Sequence, residues 1–389
     1  LFVEAMYQKN TGHSYDSAGS FDLRLPGNAA AVPQWVRTID AQNGSVGTIR
    51  VRSRFPERRM QEYDSNSYRL LAGIRGETNI FGSSETWRYE TAATLGKSDN
   101  EVLHVSGYYN LDRLSAAIGN GQFNPFNLGR DTPSDVIAGL RELAPRVGES
   151  DVKSWDFNIS GNIAELPAGP VSAVFGGEWR SEDIFDTPAL VAQQGLVSTL
   201  GASDAAADRT QYAGYAEFNL PITEKFDVIS ALRYDHYSDF GGDANPKVSL
   251  RYRATDDLIL RASWSTGFRA PSLSELGAGT SLGSNYIDCG TGKPYNALCG
   301  SFGAQAGELE YDQETLGNRD LDAESSEAFN TGISWNLTDD LNMTIDYWRY
   351  EHTDIVDVDA NTTLKACIAG TAPTVADAAA LNGAFGCVK

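Results

Sequence analysis

The residues of this 389-residue chain best equipped for acid–base, nucleophilic or metal chemistry are four histidines (His13, His104, His236, His352) and four cysteines (Cys289, Cys299, Cys367, Cys387). Their spacing does not assemble a site. The histidines are scattered, with no H-E-x-x-H helix face and no cysteine beside them. No G-x-S-x-G elbow and no phosphate-cradling loop occurs. His236, in Tyr234-Asp235-His236-Tyr237, reads either as a ligand or as a polar residue at a strand end. Asp354, Asp357 and Asp359 stand beside a loop and read either as solvated acids or as a Ca²⁺ site. The EF-hand glycine and spacing are missing there. No catalytic residue, metal or cofactor is assigned, and the chain is not read as an enzyme.

The cysteines fall two by two in loop-like stretches rich in Gly, Ala, Asn and Thr. Four cysteines allow three pairings. Local pairing, Cys289 with Cys299 and Cys367 with Cys387, is the expectation, and it implies an oxidising compartment. The C-x₂₋₄-C spacing of a four-cysteine zinc site is absent.

What must position the remaining side chains is a set of strands. A typical segment runs from Val171 to Arg180. Val171, Ala173, Phe175 and Trp179 share one face; Ser172, Gly176, Glu178 and Arg180 share the other. Period two means a strand with one apolar and one polar face. Val248, Leu250 and Tyr252 oppose Lys247, Ser249, Arg251 and Arg253. Leu258, Leu260, Ala262 and Trp264 oppose Arg261, Ser263 and Ser265. Leu341, Met343, Ile345 and Tyr347 oppose Asn342, Thr344 and Asp346. Such segments number about eleven, within the range of outer-membrane barrels. They fall at 1–10, 64–75, 86–107, 152–163, 171–183, 210–220, 226–238, 246–254, 258–268, 324–336 and 341–355. Short connections (164–169, 221–225, 254–257, 337–340) alternate with long ones (11–61, 109–151, 184–208, 269–324), and 239–242 is a shorter exception.

The long loops carry helix signals. Thr132 is a candidate cap before Pro133, with Val136, Leu140 and Leu143 following at helical spacing. Leu111, Leu114 and Ile118 form a second set, and 374–381 a third.

Composition agrees with an all-β chain: hydrophobic residues are 41%, aromatics 10%, and there are 38 glycines against 3 methionines. The formal net charge of −21 excludes a nucleic-acid partner, because phosphate contacts need a basic surface. It reads either as a solvated surface or as acidic loops for cationic ligands. No run of about 18 apolar residues exists, so no transmembrane helix is expected.

A soluble sandwich also alternates. Here, however, the polar face is charged in nearly every strand, as a wet barrel interior would be. Aromatics also gather near strand ends: Tyr234 and Tyr237, Trp264 and Phe268, and Tyr347, Trp348 and Tyr350. Such girdles sit where hydrocarbon meets headgroups. The fold class is therefore a transmembrane antiparallel β-barrel with long extracellular loops and short loop helices. Val171, Phe175, Val248, Leu250, Leu260 and Met343 are expected to face lipid.

Four motifs resemble the barrels of TonB-dependent outer-membrane receptors. Ser265-Thr266-Gly267-Phe268-Arg269-Ala270-Pro271-Ser272-Leu273-Ser274-Glu275-Leu276 looks like their strand-to-loop segment. Gly317-Asn318-Arg319-Asp320-Leu321-Asp322-Ala323-Glu324-Ser325-Ser326-Glu327 resembles their N-P-x-L-x-P-E-x-S-x-x-x-E segment, with Arg319 and Ala323 where Pro is common. Tyr215 to Pro221 and Phe175 to Glu182 are similar to further barrel segments. The likeness is close over 150–360 and looser before it. It implies a 22-stranded barrel with an N-terminal plug, in the bacterial outer membrane. It also implies import of a scarce, bulky nutrient driven by the TonB complex.

The chain begins inside a strand-like segment and ends after a loop. The expectation is a partial barrel over 1–389, about eleven strands of 22, with the plug and the last strands outside it. Implied partners are the TonB complex, lipopolysaccharide or other outer-membrane lipid, and a small-molecule nutrient. Candidates for contact with that nutrient are Arg180, Asp235, Arg269 and Glu275, charged residues of the lumen face or loops. A passive porin or a surface β-domain for adhesion is the alternative.

Overall fold

The computed structural model describes residues 1–389 except 30, 43–47, 80–85, 128–130, 201–202, 293–306, 358–359, 370–373, 376–386 and 389. In chain order, β1 (Phe2–Asp16) is followed by a loop hairpin of β2 (Ser20–Pro26) and β3 (Thr48–Arg54). Then come β4 (Arg59–Thr78), β5 (Trp87–Ser106), β6 (Ala144–Leu166), β7 (Gly169–Pro188), β8 (Ala205–Thr223), β9 (Phe226–Tyr237), β10 (Gly241–Arg253) and β11 (Leu258–Arg269). A second loop hairpin, β12 (Ser281–Cys289) and β13 (Gly307–Thr315), precedes β14 (Glu324–Thr338) and β15 (Leu341–Thr353).

Eleven strands make one antiparallel sheet in the order β1-β4-β5-β6-β7-β8-β9-β10-β11-β14-β15. The alternation of apolar and polar residues sets its register, because a one-residue slip would move every side chain to the opposite face. Tight connections at 167–168, 224–225 and 339–340 lie at one end of the sheet, and the long ones at the other. Among the described residues no helix is long and apolar enough to cross a membrane.

The outward face carries a belt of exposed apolar side chains, including Leu70, Ile74, Phe175, Leu232, Val248, Leu250, Leu260, Ile333 and Ile345. Val171 lies on this face but is covered by its neighbours, with 5% of its surface exposed. On the loop side the belt ends in aromatics: Tyr7, Tyr68, Trp155, Tyr212, Tyr234, Trp264, Phe329 and Tyr347 are exposed, and Trp179 pairs with both Trp155 and Tyr212. One outward position further the residues turn polar: Lys9, Asn66, Lys153, Ser181, Thr210, His236, Glu327 and Arg349. This is the profile of a sheet whose outer face meets hydrocarbon and then headgroups.

The strands are longer than sequence alternation suggests. β1 reaches Asp16 rather than residue 10, and β6 starts at Ala144 rather than 152. Beyond the aromatic line both faces are polar, so the apolar signal stops while the hydrogen-bond ladder continues. The expected aromatic girdle is corrected in two places. Tyr237 and Phe268 do not face lipid; they pack with Phe240, at ring centroid distances of 4.7 Å (Tyr237–Phe240) and 6.2 Å (Phe240–Phe268). Trp348 and Tyr350 have the parity of Asp346, on the inward face at the sheet's free edge.

The largest buried apolar cluster is not in the barrel wall. It joins two connections distant in sequence: Phe21, Leu25, Val32, Val51 and Phe55 from 17–58, with Tyr109, Leu114, Ile118, Phe123, Ile137 and Leu140 from 107–143. Helix α1 (Gln34–Gln42) lies in the first of these connections. Helix α2 (Leu111–Gly119) is capped by Asn110, whose side chain accepts from the Asp112 and Arg113 amides at 3.1 Å. Helix α3 (Ser134–Leu140) starts at Pro133 without a side-chain cap, so the expected Thr132 cap does not form. Ile137 and Leu140 are its buried residues, and Leu143 is 60% exposed. The third connection joins this cap by main-chain bonds, Leu111 N to Leu196 O and Ser198 N to Tyr109 O, both 2.8 Å. Of the expected helix over 374–381, Thr374–Val375 pair instead as a short strand with Cys387–Val388, and the rest lies outside the described residues.

Candidate functional site: the lumen wall and the extracellular rim

On the inward face of β7, β8 and β9 the period-two pattern brings charged side chains into one network. Asp235, 2% exposed, accepts from Arg233 Nη2 at 2.8 Å and from Gln211 Nε2 at 3.0 Å. The same guanidinium reaches Glu178 at 3.1 Å and lies 5.7 Å from the Tyr215 ring centre. A cavity of about 460 Å³ opens here, lined by Asp156, Glu178, Tyr215, Glu217, Arg233 and Lys247 among others. Toward the loops Arg209 is 5% exposed and donates to the Pro271 carbonyl at 2.7 Å. It also faces Glu182 at 3.5 Å and Asp239 at 3.7 Å, and stacks 5.6 Å over Tyr237. Lower on the wall, Arg261 grips Asp346 at 2.7 and 2.8 Å. Buried charges persist only when paired and hydrogen-bonded, and these pairs fix the wall's polar surface.

At the rim, Arg269 holds Glu324 with two bonds of 2.7 Å and Glu275 with bonds of 3.2 and 3.3 Å. Glu275 also closes a capping box with Ser272 on helix α4 (Leu273–Gly277). Glu324 accepts from the Val356 amide at 2.9 Å. The Arg269 guanidinium, with that amide, pulls the Glu324 carboxyl down to about 2. One arginine thus ties the connection after β11, the start of β14 and the segment after β15. A second knot lies in the cap. Glu57 accepts from Tyr109 Oη at 2.8 Å and from Arg141 Nε at 3.0 Å. Arg141 holds its carboxyl below the usual range, against the opposing effect of burial.

The four sequence candidates therefore fall into two groups. Arg180 and Asp235 belong to the lumen network, where Arg180 pairs with Glu182 at 2.5 Å. Arg269 and Glu275 are bonded to each other at the rim. Reading by sequence did not single out Arg233, Arg209 or Glu324. Arg233 and Asp235 stand two apart on one strand, which places them on the same face, and that spacing could have flagged them. Nothing local could have flagged Arg209, whose partners come from distant elements; Glu324 is the first glutamate of the quoted N-P-x-L-x-P-E-like segment, but its partner Arg269 comes from another strand. His236 is exposed one position beyond Tyr234, and no group of three or more potential metal ligands occurs among the described residues; Asp359 lies outside them. Cys289 and Cys367 are both disulfide-bonded. Cys299 lies outside the described residues.

An antiparallel sheet with an outward apolar belt, an aromatic boundary and a charged inner wall defines a bacterial outer-membrane barrel. The family described as "TonB dependent receptor-like, beta-barrel" matches residues 7–378. The chain belongs to that family. It is 26% identical over 212 residues to the "Probable TonB-dependent siderophore receptor PirA" of Acinetobacter baumannii, a match covering 53% of this chain and 26% of that protein. It is 26% identical over 173 residues to the "Ferrienterobactin receptor" of Escherichia coli, covering 42% of this chain and 22% of that protein. Among solved structures, the siderophore receptor PirA from A. baumannii aligns with a TM-score of 0.45 at 16% identity, over 91% of this chain and 44% of that one. The matches thus span about a quarter of the length of these curated relatives and less than half of the solved chain.

Proposed function

We propose that this chain is the wall and extracellular cap of a receptor that imports a ferric siderophore, with energy from the TonB complex. The observation that carries the reading is the family match, joined to two curated relatives whose names are those of siderophore and ferrienterobactin receptors. The architecture supports it. Successive long connections share one packed core and tie to one another, which makes a built vestibule over a polar lumen. A passive porin needs no such cap. In this reading the plug, the TonB contact and further strands belong to the receptor beyond this chain, about as many strands again as it holds. Of the four ligand candidates Arg180 keeps one donor uncommitted, since its Nε has no hydrogen-bond partner within the protein.

The test is uptake. Cells carrying the whole receptor should accumulate radioactive iron from at least one ferric siderophore under iron limitation, and lose that uptake when TonB is deleted. Uptake independent of TonB, or diffusion of unrelated small solutes through the purified protein, would instead support the porin.

The disulfides remain Cys289–Cys299 and Cys367–Cys387 in this proposal. The turn-rich Gly290-Thr291-Gly292-Lys293-Pro294 lets the first pair meet. Non-reducing peptide mapping should recover both local pairs; a 289–387 cross-link would refute them. The barrel should keep its heat-modifiable mobility after reduction, since its ladder is closed by hydrogen bonds.

A further inference from the structure

One buried imidazole stands where the wall meets the cap. His104 lies near the loop end of β5, well past Lys97, the register partner of the boundary residue Tyr68, and so above the hydrocarbon. It is 5% exposed, whereas His13, His236 and His352 are exposed. Its Nδ1 lies 2.6 Å from the carbonyl oxygen of Ala144, the first residue of β6. A carbonyl only accepts, so Nδ1 carries the proton and donates. The lone pair of the neutral ring is then at Nε2.

The ring packs edge-on against Tyr108, with centres 4.7 Å apart. Tyr108 is buried and serves both sides of the junction. Its hydroxyl accepts from Gln61 Nε2 of β4 at 2.7 Å. Its carbonyl accepts from the Glu142 amide at 2.9 Å, and its ring packs with Ala192 and Val197 of the third connection. Tyr109, next in the chain, enters the apolar core of the cap. His104 therefore braces the residue through which wall and cap are joined.

No carboxylate bonds this ring among the described residues. From β6 it is faced by Arg146, diagonal to it on the inward face and held by both oxygens of Asp186 on β7 at 2.7 Å. From β4 it meets the uncharged Gln61, and from the connection after β5 it meets Tyr108. A second proton would go to Nε2 and place a buried cation beside Arg146. Burial keeps this imidazole below its ordinary value; the Ala144 carbonyl works against that, and Arg146 adds to it. In an opened cap the ring would take its proton in water. The stability that the neutral ring supplies is therefore complete above the ordinary histidine value of about 6.5, and it is lost as the pH falls below it. The carboxyl of Glu57 lies below the usual range, so its pairing with Arg141 outlasts that loss.

We propose that His104 is a latch between wall and cap, closed while its imidazole is neutral and released by mild acid, so that the pH outside the cell sets how readily the vestibule opens. The proposal holds whatever nutrient the receptor imports.

The test is limited proteolysis of the whole receptor in detergent at about pH 7.5 and pH 5, with each rate referred to that of an unfolded substrate at the same pH. In the native protein, cleavage within 107–143 and 189–200 should quicken several-fold at the lower pH. The ceiling is about thirtyfold, set by the proton affinity of a free histidine. The wall should keep its heat-modifiable mobility at both. His104→Asn leaves an amide donor in the place of Nδ1 but cannot take a proton. Whatever its absolute rate, that variant should be cut equally fast at the two pH values. An NMR titration of the native histidines gives a second readout, with His104 assigned by the signal missing from the variant. Its imidazole should titrate below the ordinary value. A native cap cut equally fast at both pH values would overturn the proposal. So would a His104→Asn variant that keeps the full acid response, or a His104 imidazole that titrates at or above its ordinary value.

Discussion

Arginine in place of Leu260 is expected to keep this chain's sheet from assembling in the membrane, whereas arginine in place of Ser263 should be accepted. Leu260 lies between Leu258 and Trp264 on β11, near the middle of the apolar belt. Its register partners Tyr252 and Ile333 are exposed on the same outward face, 45% and 39% respectively. An arginine at the midplane of a barrel strand costs about 2–4 kcal/mol, a large part of the roughly 5–15 kcal/mol that holds a protein folded. Ser263 points the other way, beside Ser249 and Asn330, toward a wall that already carries Arg251 and Arg261. The readout is the fraction of protein in outer membranes that shows heat-modifiable mobility. Equal loss in both variants would mean that the faces are assigned wrongly.

Truncating Phe123 to alanine should unravel the extracellular cap and leave the wall standing. Phe123 is fully buried, with its ring 6.2 Å from Phe21, which in turn contacts Phe55 at 4.9 Å. Removing a buried phenylalanine ring costs about 3–5 kcal/mol, and Phe123 lies in the one cluster that joins the first two long connections among the described residues. Limited proteolysis should then cut within 17–58 and 107–143 while the strands stay protected. Leu143→Ala, at a site 60% exposed, should change nothing measurable. Equal resistance of the two variants would show that the connections do not fold as one unit.

The wall was legible in the sequence because each strand writes its two faces locally. Val248, Leu250 and Tyr252 against Lys247, Ser249 and Arg251 needs no partner to be read. The strand ends were not legible, because Lys153, Asp151 and Glu149 on β6 continue the ladder with no apolar face to mark it. The aromatics show a similar limit. Tyr234 and Tyr237 are three apart and so take opposite faces; only Phe240 and Phe268, brought in by pairing, show that Tyr237 belongs to the inner cluster. The cap was invisible for a related reason, since Phe55 finds Tyr109 only after two strands have been crossed. Charge alone also misleads: Arg269 and Glu275 look poised for a ligand, yet six residues apart they meet each other on the turn into α4.

The aromatic boundary also measures how far the strands lean. Following register partners from Tyr7 across five strand junctions leads through Tyr68, Lys97, Asp151 and Asp183 to Asp208, four residues before the boundary residue Tyr212. Following them back from Tyr347 across the five junctions on the other side leads through Thr331, Ala262, Leu250 and Val228 to Leu220, eight residues past Tyr212. Both offsets have the same sense, so a line drawn perpendicular to the strands climbs steadily through the membrane. The drift averages about 1.2 residues per junction. At ~3.3 Å per residue and ~4.8 Å between strands, that is a slope of about 40°. A ring of tyrosines and tryptophans can lie flat in the membrane only if the strands beneath it stand at that angle, so the positions of these aromatic residues encode the shear of the barrel.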